Sequence, residues 1–421
     1  MRKYFYSFTS LLTLLVLFTQ CQQRPIEASF DIVRDVREWG TAVSAVIIDL
    51  HGRKMKHIDE TTFSVYATTI NPITGDIIAD RELRTVKNVK VDGNLVTLCL
   101  EVRLLTWEDF GIQGPSPNKF RSAHPADAAM AWTNGTNFLL GLEYEVIYNG
   151  GSHEFTATQR NIVTPIFDDF VFTQNPVAGF TNEHYRVFIP HGAENLPLVL
   201  WNHGGGETYR FVEGTHSKGS KDSQLYANMG GVGWVLNAPE SAVILAPQRG
   251  MGEGAPGYSR PGVIAYIEYL VNKGVVDRSR IYISGPSAGG AETQTFMQEF
   301  PNVWAAAVPI CHGNVSEENA IRVASGGFPI WLTVALNETI PSIPPAMRLA
   351  YERFLEAGAH VYLTEWEDVF GVYHCNYDGH WSWIQVLNNE VHEDIKGQVS
   401  APIMDWMFQH ARTKETVFER Y

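Results

Sequence analysis

Ile281-Tyr282-Ile283-Ser284-Gly285-Pro286-Ser287-Ala288-Gly289-Gly290 is the stretch on which the fold turns. An apolar β-type run enters a G-x-S-x-G pentapeptide, and Ala291-Glu292-Thr293-Gln294-Thr295-Phe296-Met297 leaves it as a helix. A serine on so tight a strand-to-helix turn needs neighbours without side chains, and Gly285 and Gly289 meet that need. The Ser287 hydroxyl then projects from the sheet edge. The N–H of Ala288 falls at a helix N-terminus, where developing negative charge is stabilised. The pentapeptide alone is a weak signal, because Gly/Ser loops are common. Its strand and helix flanks give it weight.

A second element lies upstream. Pro197-Leu198-Val199-Leu200-Trp201-Asn202 reads as a buried strand and ends in His203-Gly204-Gly205-Gly206-Glu207. Glycines after a strand let the backbone approach a substrate and aim an N–H at an oxyanion, so Gly204 and Gly205 join Ala288 as candidate donors. A phosphate loop is excluded by the missing Lys-Ser/Thr. The two motifs, each behind a strand, point to acyl transfer through a serine nucleophile.

Around them the texture falls into two parts. From 28 to 171 short alternating runs are separated by turn residues, as in Phe63-Ser64-Val65-Tyr66-Ala67 and Leu95-Val96-Thr97-Leu98-Cys99-Leu100, with Asp92-Gly93 and Asn149-Gly150-Gly151 as turns. This predicts an all-β, immunoglobulin-like sandwich. From 181 to 421 strands alternate with helices. The spacing predicts strands at 198–202, 242–246, 281–284, 305–310, 328–334 and 360–365, and helices at 261–273, 291–300 and 345–357. That alternation calls for a mostly parallel sheet with crossover helices, the α/β-hydrolase architecture.

In such a sheet the acid follows a strand after the elbow, and the histidine comes last. Phe328-Pro329-Ile330-Trp331-Leu332-Thr333-Val334 is that strand, and Glu338 is the carboxylate of its terminal loop, with Glu365, Glu367 and Asp368 as alternatives one strand later. His380, after Gly379 in a loop, is the candidate base. His374 competes with it, and His392 and His410 fall on helical surfaces. Trp381, Trp383 and Tyr209 are candidate aromatic walls.

The formal net charge of −14 excludes nucleic acid and anionic-membrane surfaces as partners. No metal signature is present and no cofactor is expected. Residues 1–21 read as a secretory leader: Met1-Arg2-Lys3 precedes an apolar run at 11–18 too short to span a bilayer. Its end at Cys21 has the form of a lipid-attachment site, although Gln20 departs from the usual small residue. The expected location is extracytoplasmic, lipid-anchored or secreted, with membrane contact only through that anchor. Cys99 reads as a core residue, and Cys311 and Cys375 as a conceivable disulfide.

The set HGGGE at 203–207, Ala246-Pro247-Gln248, the 285–290 elbow, the 328–331 strand with its acid loop, and Gly379-His380 resembles secreted α/β-hydrolase esterases known as predicted peptidases or feruloyl-esterase-like proteins. It resembles in particular the group with an N-terminal immunoglobulin-like domain. The resemblance covers nearly all of the chain after the leader and is most specific at 198–207, 245–248, 277–290 and 328–338. The family's acid is usually Asp where Glu338 stands, its Ser-Met pair is Ser287-Ala288 here, and 372–377 is an insertion. The resemblance implies a serine carboxylesterase working through Ser287, His380 and Glu338 and an acyl-enzyme on a small-molecule or carbohydrate-linked ester. A prolyl-oligopeptidase-like serine peptidase and a non-catalytic surface binding protein are the competing readings.

Overall fold

The structure, a computed structural model, describes residues 25–111, 119–133, 136–150, 154–210, 222–251, 257–373, 375–413 and 415–418. Cys21 and His374 lie outside the described residues, as does the side chain of Tyr209.

Eight strands form the larger sheet: β1 Val171–Gln174, β2 His184–Phe188, β3 Leu196–Trp201, β4 Val243–Pro247, β5 Val276–Pro286, β6 Ala306–Ile310, β7 Ile330–Ala335 and β8 Val361–Trp366. Their order is β1-β2-β4-β3-β5-β6-β7-β8. Strand β2 runs antiparallel to β1 and β4, and every pair from β4 to β8 is parallel. Strands β4, β6 and β7 are buried at every residue, because helices cover both faces of a parallel sheet and leave no reason for polar alternation. Helices α1 Gly230–Asn237, α2 Arg260–Asn272, α3 Ala288–Glu299, α4 Glu317–Gly326, α5 Ile343–Glu356 and α6 Ile403–Phe408 belong to this part of the chain.

Side chains of each strand divide between two cores with period two. Leu198 and Leu200 of β3 meet Ile281, Ile283, Phe296 and Trp304 on one face. Val199 and Trp201 meet Tyr282, Trp234, Trp331 and Met404 on the other. That second core continues without a break into the N-terminal β-region.

The N-terminal region holds a five-stranded sheet, in the order Phe155–Val163, Ile26–Arg37, Gly40–Asp49, Leu95–Leu100, Val86–Asp92, and a three-stranded sheet, Gly141–Tyr148, Phe63–Ile70, Ile77–Arg84. Phe63–Ile70 alternates buried with half-buried residues along its length. Phe30, Ile32, Val46 and Ile48 of the first sheet share a core with Val65, Ala67, Tyr144 and Val146 of the second. Inside, Arg84 and Asp127 pair at 2.8 Å with both side chains fully buried, and Arg84 donates further to Val43 O, Glu101 O and the Tyr144 hydroxyl.

Between the expected parts at 28–171 and 181–421 lies β1, an edge strand of the larger sheet. Its pattern of exposed residues carries no two-faced burial to read. The contacts between the two regions are described below, since they reach the site.

Candidate active site

Ser287, Glu338, His380 and the glycine loop converge at the carboxyl ends of β3, β5 and β7, the edge where open α/β sheets place their sites. Ser287 adopts φ 55° and ψ −118°, a strained backbone for a residue with a Cβ, directly before α3. The residues two positions to either side are glycines because of close packing. A Cβ on Gly285 would lie 2.4 Å from the carbonyl oxygen of Asn202, and one on Gly289 only 2.0 Å from it. The turn is therefore locked against the end of β3, which aims the serine Oγ outward.

His380 Nε2 lies 2.9 Å from Ser287 Oγ, and its Nδ1 lies 2.8 and 3.0 Å from the two carboxylate oxygens of Glu338. The Glu338 side chain is fully buried, whereas the imidazole is about one-fifth exposed. Ile340 N–H also donates to Glu338 Oε1, at 3.0 Å. With Nδ1 facing a carboxylate, Nδ1 carries the proton and Nε2 is free to accept one from Ser287.

The histidine is held by its own turn. Asp378 Oδ1 accepts from His380 N–H at 2.9 Å and from Thr339 Oγ1–H at 3.0 Å, which ties the histidine turn to the acid loop. A Cβ on Gly379 would fall 2.3 Å from Asn337 Oδ1, so the Gly-His pair reports the contact between these loops. Trp383 is buried and presents its ring edge-on to His380 at 6.0 Å. Trp381 stacks between Tyr377 and Trp383.

The other carboxylates and histidines weighed for these roles lie elsewhere. Glu365 pairs with Arg348, Asp368 accepts from Asn337, and Glu367 is exposed. His392 accepts from the Trp366 indole N–H. His410 lines a cavity with Phe328, His360 and Arg412 at the amino ends of β6–β8, the far side of the sheet.

The glycine loop is braced from within. His203 is buried; its Nε2 accepts from Arg249 N–H at 2.8 Å, so Nδ1 is the protonated nitrogen and donates to Gly204 O at 2.7 Å. Burial pushes its pKa down to about 4, and it stays neutral. Gln248 donates to Glu207 O and to Ser223 Oγ, which accounts for the glutamine of the A-P-Q run. Gly205 faces Ala288, since a Cβ on it would lie 3.9 Å from the Ala288 methyl.

Three features near the site were given no part in it by the sequence. Glu207 is buried, and burial pushes its carboxyl up to about 7, against donation from Asn228 Nδ2–H at 3.0 Å. Cys311, at φ 42°, turns its thiol beneath the elbow, where Sγ accepts from Ser287 N–H at 3.2 Å and lies 3.6 Å from His380 O. Burial raises this thiol far above its ordinary pKa, first among the causes, so it packs rather than reacts. Cys311 and Cys375 are both free thiols, and the conceivable bridge between them is not formed because Cys311 is committed to the elbow. Asn137, from the N-terminal region, is the third; it donates to Gly206 O at 2.9 Å.

Among the described residues one group gathers potential metal-ligand atoms, those of Cys311, Glu338 and His380, within 4.8 Å of one another. The imidazole and carboxylate are spent on each other and the thiol keeps its proton, so the group fits proton transfer better than an ion.

A model of the prolyl oligopeptidase family matches residues 257–312, which span α2, β5, the elbow and β6. No curated protein sequence matches the chain. Among solved structures, a thermostable esterase is similar with a TM-score of 0.65 and 24% identity, over 91% of this chain and 100% of its own. An esterase from Pyrobaculum calidifontis has a TM-score of 0.34 and 15% identity over 47% of this chain and 75% of its own. Esterase 2 of the planctomycete Thermogutta terrifontis, with propionate bound, has 0.34 and 13% over 48% and 84%. The likeness to the thermostable esterase is one of fold, and it extends over both regions. The chain has an α/β-hydrolase fold.

Proposed function

We propose that the protein is a serine carboxylesterase. The observation that carries this is the unbroken relay from Ser287 Oγ through His380 to Glu338 at 2.9 and 2.8 Å. Ser287 attacks the ester carbonyl while His380 Nε2 takes its proton, and buried Glu338 stabilises the imidazolium that forms. The N–H groups of Ala288 and of Gly204 or Gly205 hold the tetrahedral oxyanion. His380 then protonates the leaving alcohol, and water reverses the steps on the acyl-enzyme. The N-terminal region is read as an immunoglobulin-like sandwich. The leader ending at Cys21 is read as an extracytoplasmic address.

A second reading is favoured by the prolyl oligopeptidase match at 257–312: a serine peptidase, which breaks an amide with the same residues. Labelling by a fluorophosphonate, followed by paired 4-nitrophenyl ester and 4-nitroanilide substrates, separates the two. Ser287→Ala is expected to lose the label and about 10⁶ in kcat, the cost of deleting a triad nucleophile. Turnover by the variant at the parent's rate excludes Ser287 as nucleophile, and amide turnover matching ester turnover selects the peptidase.

A further inference from the structure

Glu38 occupies the two-residue turn between the strands Ile26–Arg37 and Gly40–Asp49, and it is 1% exposed. A buried carboxylate is costly unless hydrogen bonds surround it. Its Oε1 accepts from the Tyr377 hydroxyl at 2.7 Å and from Tyr373 N–H at 3.4 Å. Its Oε2 accepts from Val372 N–H at 3.0 Å and from Asn388 Nδ2–H at 2.8 Å. All four donors belong to the segment that carries His380. The contact is close enough to constrain the chain: a Cβ on Gly371 would lie 2.0 Å from Glu38 Oε1.

From this clamp an aromatic stack leads to the base. Tyr377 stacks on Trp381 at 5.9 Å, Trp381 on Trp383 at 5.9 Å, and Trp383 meets His380 edge-on. Phe120 of the N-terminal region packs on Tyr377 and Trp381, and Trp39 packs on Phe120. The same region reaches the oxyanion side, where Asn137, 5% exposed, donates to Gly206 O.

We propose that the N-terminal β-region is a working part of the catalytic apparatus, with Glu38 the positioning residue of the His380 segment and Asn137 that of the oxyanion loop. The proposal rests on the serine-hydrolase reading. Displacement of a catalytic group by about 1 Å costs on the order of 10² in rate, so a clamp on the histidine segment acts on kcat. Substrate affinity has no such dependence on the Ser–His distance.

The test uses the full chain. In Glu38→Gln the amide keeps its oxygen for one pair of donors and turns an NH₂ group toward the other, so the charge and one backbone N–H bond are lost at almost constant volume, while the Tyr377 hydroxyl is able to turn and accept. Gly371→Ala pushes the segment off Glu38 from the opposite side. Each is expected to lower kcat by about 10- to 100-fold with KM within about two-fold of the parent. Rates are taken per Ser287 titrated by a fluorophosphonate, which removes any loss of folded enzyme from the comparison. Glu38→Ala/Gly371→Ala is expected to lose no more than Glu38→Ala, since the new methyl enters vacated space. Per-site kcat within two-fold of the parent in both single variants overturns the proposal, as does a loss confined to KM. If Glu38→Gln does not fold, Tyr377→Phe removes one donor and keeps the stack; an unchanged kcat there overturns the proposal as well. A parent protein that neither turns over esters nor takes the label removes the underlying reading, and the proposal with it.

Discussion

Glu338→Gln isolates the charge of the triad acid from its geometry. In serine hydrolases an acid-to-amide change that traps the imidazole in the wrong tautomer costs about 10⁴ in kcat. Here Glu338 Oε1 accepts from both His380 Nδ1 and Ile340 N–H, at 2.8 and 3.0 Å. An amide in this position turns its oxygen to Oε1, because the reverse would set an NH₂ group against the Ile340 N–H. The oxygen then accepts from Nδ1–H, and the productive tautomer survives. What disappears is attraction between carboxylate and imidazolium, about 4 kcal/mol for unit charges 4 Å apart at an effective dielectric of 20. At 1.36 kcal/mol per decade that is about 10³ in kcat. The measurement is kcat on 4-nitrophenyl acetate per titrated Ser287, with circular dichroism to show an unchanged melting profile. A loss of 10⁴ or more means that the amide turns over and that Ile340 does not set its orientation. A loss under 10-fold means that Glu338 is not the acid.

Glu207→Gln tests the buried carboxyl. A folded-state pKa raised from 4.5 to about 7 contributes stability that is full below pH 4.5 and lost as pH rises through 7, at most about 3 kcal/mol. The parent's melting temperature is therefore expected to fall between pH 5 and pH 8 more steeply than the variant's, and parallel curves would exclude that ionisation. Asp127→Ala leaves the fully buried Arg84 guanidinium without its counter-ion and is expected to cost about 3–5 kcal/mol, read as a lower denaturant midpoint. An unmoved midpoint would refute it. A chain beginning at residue 181 loses β1, Glu38 and Asn137 together, and is expected to show no ester turnover even where it stays soluble; parental kcat in that fragment would show the N-terminal region to be dispensable.

The parts of the site that were legible in the sequence are those whose constraints are local. Gly285 and Gly289 are glycines because residues within the elbow meet the adjacent strand end, and that crowding is written as G-x-S-x-G around Ser287. Gly379 marks His380 for the same reason, since it passes against Asn337 beside the acid. The parallel sheet was legible because β4, β6 and β7 are wholly apolar or small, which only a two-sided core permits. Three consecutive glycines, by contrast, give no means of telling Gly204 from Gly205, because neither carries a side chain that would mark its N–H. Cys311 read as a disulfide candidate because its turn under Ser287 depends on a positive φ that no neighbouring residue announces. Glu38 is the extreme case. Arg37-Glu38-Trp39-Gly40 has the composition of an exposed hairpin turn, and its burial exists only because residues 334 to 350 positions later close over it. No periodicity records a contact of that range. What a motif can encode is the chemistry of the nucleophile, while the distances on which that chemistry depends are set by residues from another layer of the molecule. Glu38 and Asn137 bring part of that second requirement from the N-terminal region, so substitutions far from any motif are expected to govern rate here as well as substitutions inside one.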